Sequence, residues 1–307
     1  MLLAVNPTAT ARATVGTLHN VQATSTTDQT ETHAAAPVTA RSRSWRRVFD
    51  DISRAAHQRQ LWAHLGWQDV KQRYRRSVLG PLWITISMGV TATGLGLLYS
   101  TIFNMDASEY VPYMTVGFII WYFISGCLIS GTDVFIQNEG MIKQLPAPIS
   151  IYVFRTVWRE FLLFLHNLVI YFAILAIFQP DLKWTFFSVF PALLLLLVNA
   201  GWVVLLFGIV STRFRDIPPV VSSFMQLLFF MSPIVWPMSA LEANAGPRAW
   251  LAQINPIYHY VDIVRSPLLG SDQDLYHWLI VLAITVGGWA LALLMMRNYR
   301  ARVSYWV

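Results

Sequence analysis

RYRRSVLGPLW, residues 73–83, sets three arginines against the opening of a hydrophobic run. That run continues to Phe103, and roughly 20 apolar residues are enough to cross a bilayer. Pro81 stands where a helix begins, because its fixed φ and missing N–H suit the first turn. Positive charge at such a point sets the orientation of the chain. Arginine in place of lysine, three times in four residues, asks for a second role.

The whole chain answers to the same solvent. Of its 307 residues 55% are hydrophobic and 12% charged, and a soluble domain carries about twice that charged fraction. The composition predicts an all-α integral membrane protein. Apolar runs near 79–103, 111–131, 157–178, 185–210, 217–237 and 276–296 predict six transmembrane helices. The fifth is broken by Pro218, Pro219, Pro233 and Pro237. Thirteen tryptophans and twelve tyrosines suit interfacial belts or a pore lining.

Charge orients the spans. Nineteen of the twenty-two Lys and Arg fall before the first run, between runs two and three, between four and five, and after the sixth. The opposite side keeps Lys183, Arg248 and Arg265 among seven acids. The bias predicts both termini in the cytoplasm, and it explains the net charge of +6 without nucleic acid. The single cysteine, Cys127, lies in an apolar stretch, so no intrachain disulfide can form.

Four segments follow. Residues 1–44, with ten Thr and nine Ala in the first forty, cannot bury a core and are expected to be a disordered cytoplasmic tail. Residues 45–78 hold an N-terminal amphipathic interfacial helix, in which Val48, Ile52, Ala55, Trp62 and Leu65 recur at helical spacing. Packing of this helix on a protein partner is the alternative. Residues 79–300 hold the spans, and 301–307 the cytoplasmic C-terminus. Between spans five and six, residues 231–270 are too apolar for a solvated loop and too interrupted for a span, which predicts re-entrant helices lining a cavity.

Chemistry is sparse. His166 and Asn167 in span three lack an acidic partner for a proton relay and are expected to hydrogen-bond between helices. A Walker A motif needs Lys followed by Ser or Thr, whereas the three lysines precede Gln72, Gln144 and Trp184. The acids of DQD, 272–274, lie on the outer side, where a nucleotide-sugar transferase would find no donor. No Cys or His cluster suggests a metal.

DVKQRYRRSVLGPLW (69–83), QNEGMIKQLPAPISIY (137–152), TRFRDIPPV (212–220) and INPIYHYVDIVRSPLLG (254–270), in this order on six spans, resemble the membrane subunit of ABC-2-type polysaccharide exporters. That family includes permeases for O-antigen, teichoic acid, capsule and cell-wall galactan. The resemblance runs over roughly residues 45–300 and implies a bacterial inner-membrane homodimer that encloses a channel. Two copies of a separate ATP-binding subunit would carry ATP and Mg, with no cofactor in this chain and no catalysis of its own. The cargo would be a polyprenyl-pyrophosphate-linked glycan. By the same resemblance Arg73, Arg75 and Arg76 would meet the pyrophosphate, Tyr74 would stack on the first sugar, and Leu79 and Gly80 would form the turn beside the gate. The loop between spans two and three would dock on the ATPase through Glu139, Lys143, Gln144 and Pro146, joined by Arg213, Arg215 and Asp216.

Physical chemistry favours the gate assignment independently, since forked guanidiniums hold a pyrophosphate better than ammonium groups. Anchoring to anionic membrane lipids is the simpler role for the same arginines. For sliding a glycan, aromatic faces serve well, which makes Tyr99, Phe103, Trp121, Tyr122, Phe123, Phe229, Phe230 and Trp236 candidate channel residues. Alternative functions are export of a drug or small lipid and, less well supported, an embedded glycosyltransferase.

Overall fold

The structure is a computed structural model that describes residues 43–307 except 74, 76–79, 81, 146, 180–182 and 246–249. The N-terminal tail to residue 42, and Tyr74, Arg76, Leu79 and Pro146 among the candidate residues, lie outside the described residues. Every regular element among the described residues is helical.

Two helices precede the spans, α1 (Trp45–His57) and α2 (Arg59–Arg73). The interfacial helix expected within 45–78 therefore breaks at Gln58, and its second half runs on to Arg73. Val48, Asp51 and Ala55 are buried on the inner face of α1, and α2 buries Gly66 and Val70. Phe49, Leu61 and Trp67 remain about half exposed on the outside. The inner face thus packs on the chain's own bundle while an apolar set faces outward.

Five helical segments are long and apolar enough to cross a membrane. These are α3 (Leu82–Phe103), α4 (Ala107–Asp133), α6 (Ser150–Phe178), a short 3₁₀ turn (Trp184–Ser188) continued by α7 (Val189–Arg213), and α12 (Leu275–Trp306). Between α4 and α6 lies the six-residue α5 (Glu139–Gln144). The third long helix begins at Ser150, seven residues before the expected span, so Arg155 and Arg159 stand on its face and not in a loop.

The expected fifth run reaches only α8 (Ile217–Met231), 15 residues, or about 22 Å at 1.5 Å per residue against roughly 30 Å of hydrocarbon. Pro218 and Pro219 open it at the first turn, where no donor is lost. An irregular turn at 232–237, carrying Pro233 and Pro237, ends it. Three short helices follow, α9 (Met238–Ala245), α10 (Trp250–Gln253) and α11 (Pro256–Leu268).

The helix α4 is the axis of the bundle, 67% buried over its apolar window, and α3, α6, α7 and α8 pack around it. With lipid on the outside there is no hydrophobic drive between helices, and small residues let backbones approach. A Cβ on Gly131 of α4 would lie 2.9 Å from the Val204 Cα of α7. A Cβ on Gly201 of α7 would lie 3.0 Å from the Trp289 ring of α12.

Polar contacts tie each end. At the end bearing α1, Asp51 accepts from Ser150 N (3.1 Å) and Oγ (2.7 Å) and from Arg300 Nη1 (3.0 Å), joining α1, α6 and α12. At the opposite end Lys183 Nζ meets Asp272 Oδ1 at 3.1 Å, and Asp106 caps α4 by accepting from Ser108 N. Those Ser108 donors hold the Asp106 carboxyl below the ordinary carboxylate range.

Within the spans, two expectations change. His166 bonds through Nδ1 to Leu162 O of its own helix at 2.7 Å, not to a neighbour, because the carbonyl one turn back is the nearest acceptor. The link between α3 and α6 runs instead from Thr85 Oγ1 to the His166 carbonyl at 3.1 Å. A buried acid is also present after all, Glu160 of α6, which faces Ser130 of α4.

Candidate functional site

The C-terminal turns of α2 lean against the ends of α4 and α6 and leave a polar cavity of about 440 Å³. Arg73, Arg155 and Arg159 line it with Asp69 and Gln137. Two of the three cations are already matched. Arg155 donates to both Asp69 oxygens and, through Nη1, to Asn138 Oδ1 at 3.1 Å. Arg159 Nη2 reaches Glu160 Oε1 at 2.9 Å, and Ser130 Oγ donates to that same oxygen at 2.8 Å. Arg73 has no carboxylate in reach among the described residues, so the cavity keeps one free guanidinium.

Arg75 is likewise without a carboxylate, but it lines a different groove, of about 420 Å³, with His64, Trp67 and Lys71. Arg73 and Arg75 therefore open onto two cavities that share Gln72 in their linings. Gly80, just before α3, takes φ +56°, the left-handed region where any side chain would be strained. Of the expected gate, then, Arg73, Arg75 and the Gly80 turn are described.

The candidate channel aromatics fall into three groups. Tyr99 and Phe103 stack at 6.0 Å on α3, and Phe103 continues to Tyr110 of α4, also at 6.0 Å. Deeper in the bundle Phe229 of α8 contacts Trp121 (5.4 Å) and Phe230 (5.2 Å), with Tyr122 nearby through Phe118. Tyr122 and Phe230 present exposed rings, whereas Trp121 is buried. Phe123 turns away from this set and packs edge-on to Phe164 of α6, inside the bundle. Trp236 donates from Nε1 to the Phe230 carbonyl at 3.0 Å, closing the turn after α8.

At the basic end α5 exposes Gln144 and an ion pair, Lys143 Nζ to Glu139 Oε1 at 2.6 Å. The Lys143 ammonium holds the Glu139 carboxyl below its usual range, and the Arg215 charge adds to the effect. The two segments expected to dock on a partner thus lie within electrostatic reach of each other. Arg215 Nη2 also donates to the Trp306 carbonyl at 3.1 Å, and Asp216 precedes α8 as its N-cap residue.

Sequence reasoning missed the groups that rest on long-range pairing. The partnership of Asp69 with Arg155 had a signal, an acid ahead of a run of basic residues. Arg265 is buried, donates to the Pro233 carbonyl at 2.8 Å and lies 3.8 Å from the Tyr113 ring centre. Tyr110 donates to the Val235 carbonyl beside it. His259 and His277 approach Nδ1 to Nδ1 at 2.7 Å, and Asp262 faces His277 at 3.6 Å. These contacts pin the 232–237 turn and α11 to α4 and α12. An arginine within the apolar helix VDIVRSPLL was the available sign.

Two comparisons bear on this geometry. The model of a family described as ABC-2 type transporter matches residues 60–269. The chain is 23% identical over 220 residues to the O-antigen export system permease protein RfbA of Klebsiella pneumoniae, covering 71% of this chain and 83% of that protein. Its similarity to the Myxococcus xanthus protein of the same name is 22% over 202 residues, 65% of this chain and 76% of the other.

Proposed function

The chain belongs to the ABC-2 type transporter family, and we propose that it is the membrane subunit of an ATP-driven exporter of a polyprenyl-pyrophosphate-linked polysaccharide. The observation that carries the reading is similarity to O-antigen export permeases over 71% of the chain. Export runs from the cytoplasm to the outer side of a bacterial inner membrane. A separate ATP-binding subunit, in two copies, supplies the hydrolysis with ATP and Mg, and two copies of this chain enclose the path.

In this reading α8 is the fifth of six spans, and α9 and α10 are re-entrant segments on the outer side. The five long apolar helices make the chain a multi-pass membrane protein, and the positive-inside bias favours cytoplasmic termini. Tyr99, Phe103, Tyr122, Phe229 and Phe230 offer ring faces to a passing glycan. The α5 segment, with Arg215 and Asp216, receives the ATPase.

The gate arginines recognise the carrier pyrophosphate. Support comes from chemistry, since Arg73 and Arg75 have no carboxylate to satisfy them among the described residues and a guanidinium fork matches phosphate oxygens. Replacing Arg73, Arg75 and Arg76 together with Lys keeps the topological charge and removes the fork. Each lost charge-assisted contact costs roughly 1.5–3 kcal/mol, so export should fall at least about tenfold while insertion and assembly with the ATPase are unchanged. Wild-type export in that variant would leave the arginines as interface anchors.

A further inference from the structure

At the basic end of the bundle, away from the gate, the last turns of α7 and α12 form a groove of about 620 Å³. We propose that this groove binds the headgroup of one anionic phospholipid. The inference stands on its own geometry and does not require the exported cargo to be a glycan.

Two cations frame the groove. The guanidinium of Arg213, on α7, lies 5.7 Å from the Trp306 ring and 5.9 Å from Phe214. That of Arg302, on α12, lies 5.8 Å from Tyr299. Tyr299 and Trp306 are themselves 5.5 Å apart, so the rings bridge the two arginines into one site. Neither guanidinium has a carboxylate partner among the described residues. The rings face each guanidinium and leave its edge N–H groups without a partner among the described residues. Those edges match the oxygens of a phosphodiester, which can accept two parallel bonds from one fork.

The rest of the groove selects a lipid over a soluble anion. Its inner wall is Ile209, Val210 and Met295, apolar residues that continue directly into the bilayer-crossing parts of α7 and α12. An acyl chain has apolar surface to follow there, while a free phosphate leaves that wall uncovered. Tyr305, 86% exposed, stands at the rim where an amphipathic ring favours the headgroup layer. A choline or ethanolamine headgroup would bring its own cation toward two guanidiniums, so a net negative headgroup is preferred. Basic pockets between spanning helices on the cytoplasmic face bind anionic lipids by this logic.

The family resemblance implies an ATPase contact for Arg213. Its guanidinium also faces the Trp306 ring at 5.7 Å, and Arg213, Arg215 and Asp216 are all exposed.

The test is native mass spectrometry of the full-length chain with phosphatidylglycerol and phosphatidylcholine added at equal concentration. One phosphatidylglycerol per protomer should be retained, and the double variant Arg213→Gln, Arg302→Gln should retain it at least tenfold less. Arg54→Gln removes a positive charge from the same end, outside the groove, and should retain the lipid as the wild type does. If the double Gln variant is not monodisperse, Arg213→Lys with Arg302→Lys reads the same loss through the missing fork. Equal retention of both lipids, or undiminished phosphatidylglycerol in the double variants, overturns the proposal. So does displacement of the lipid by millimolar inorganic phosphate, which would make the site one for free anion.

Discussion

Arg155 of α6 grips Asp69 of α2 with two parallel hydrogen bonds, Nε to Oδ2 at 2.7 Å and Nη2 to Oδ1 at 2.6 Å. Both side chains are less than one fifth exposed. The pair fixes how the helix carrying Arg73 meets the bundle, and so fixes one wall of the candidate entry cavity. Removing one partner leaves a charge without its match in a partly dry site. Asp69→Ala should therefore cost about 1–3 kcal/mol, between the values for exposed and buried pairs, read as a lowered thermal midpoint in detergent. The double variant Asp69→Ala, Arg155→Ala should recover part of that loss. Strictly additive effects would mean that the two residues are not energetically coupled.

Glycine substitutions should separate packed from open positions. On Gly131 a Cβ would meet the Val204 backbone at 2.9 Å, and a backbone cannot rotate out of the way. Gly131→Ala should destabilise by about 1–3 kcal/mol, as overpacking does. Gly287→Ala meets nothing within 4 Å and should change stability by less than about 1 kcal/mol, in the stabilising direction given the better helix propensity of Ala. Equal thermal midpoints for the two variants would contradict the tight crossing of α4 and α7.

Topology is testable by cysteine accessibility on a background with Cys127 replaced. Cys127 is buried, so little labelling should be lost with it. Ser108→Cys and Ser239→Cys should react with an impermeant maleimide added from outside, and Gly140→Cys should not. Reversed access at these three positions would put the termini outside.

Coupling to the ATPase predicts a cross-link from Gln144→Cys, which is exposed on α5, to the ATP-binding subunit in the assembled complex. A cross-link to that subunit from Ser108→Cys, with none from Gln144→Cys, would place the ATPase at the wrong end.

Much of this was legible because a bilayer is a demanding solvent. It requires backbone polar groups to be paired within a helix, so apolar run length reports the spans directly, and α3, α4, α6, α7 and α12 follow from hydropathy alone. Charge bias is equally one-dimensional, and so is the proline punctuation that begins α8 and ends it. The sequence by itself determined the helical class and the ends at which basic residues gather. Which way each helix turns about its own axis depends on side chains from other parts of the chain. Tertiary structure alone decided that Phe123 faces Phe164 while Phe230 stays exposed, that Arg73 and Arg75 open onto different cavities, and that Asp69 finds Arg155 eighty-six residues away. Such pairings depend on close approach between helices and on the pairing of buried charge, and neither leaves a period in the sequence.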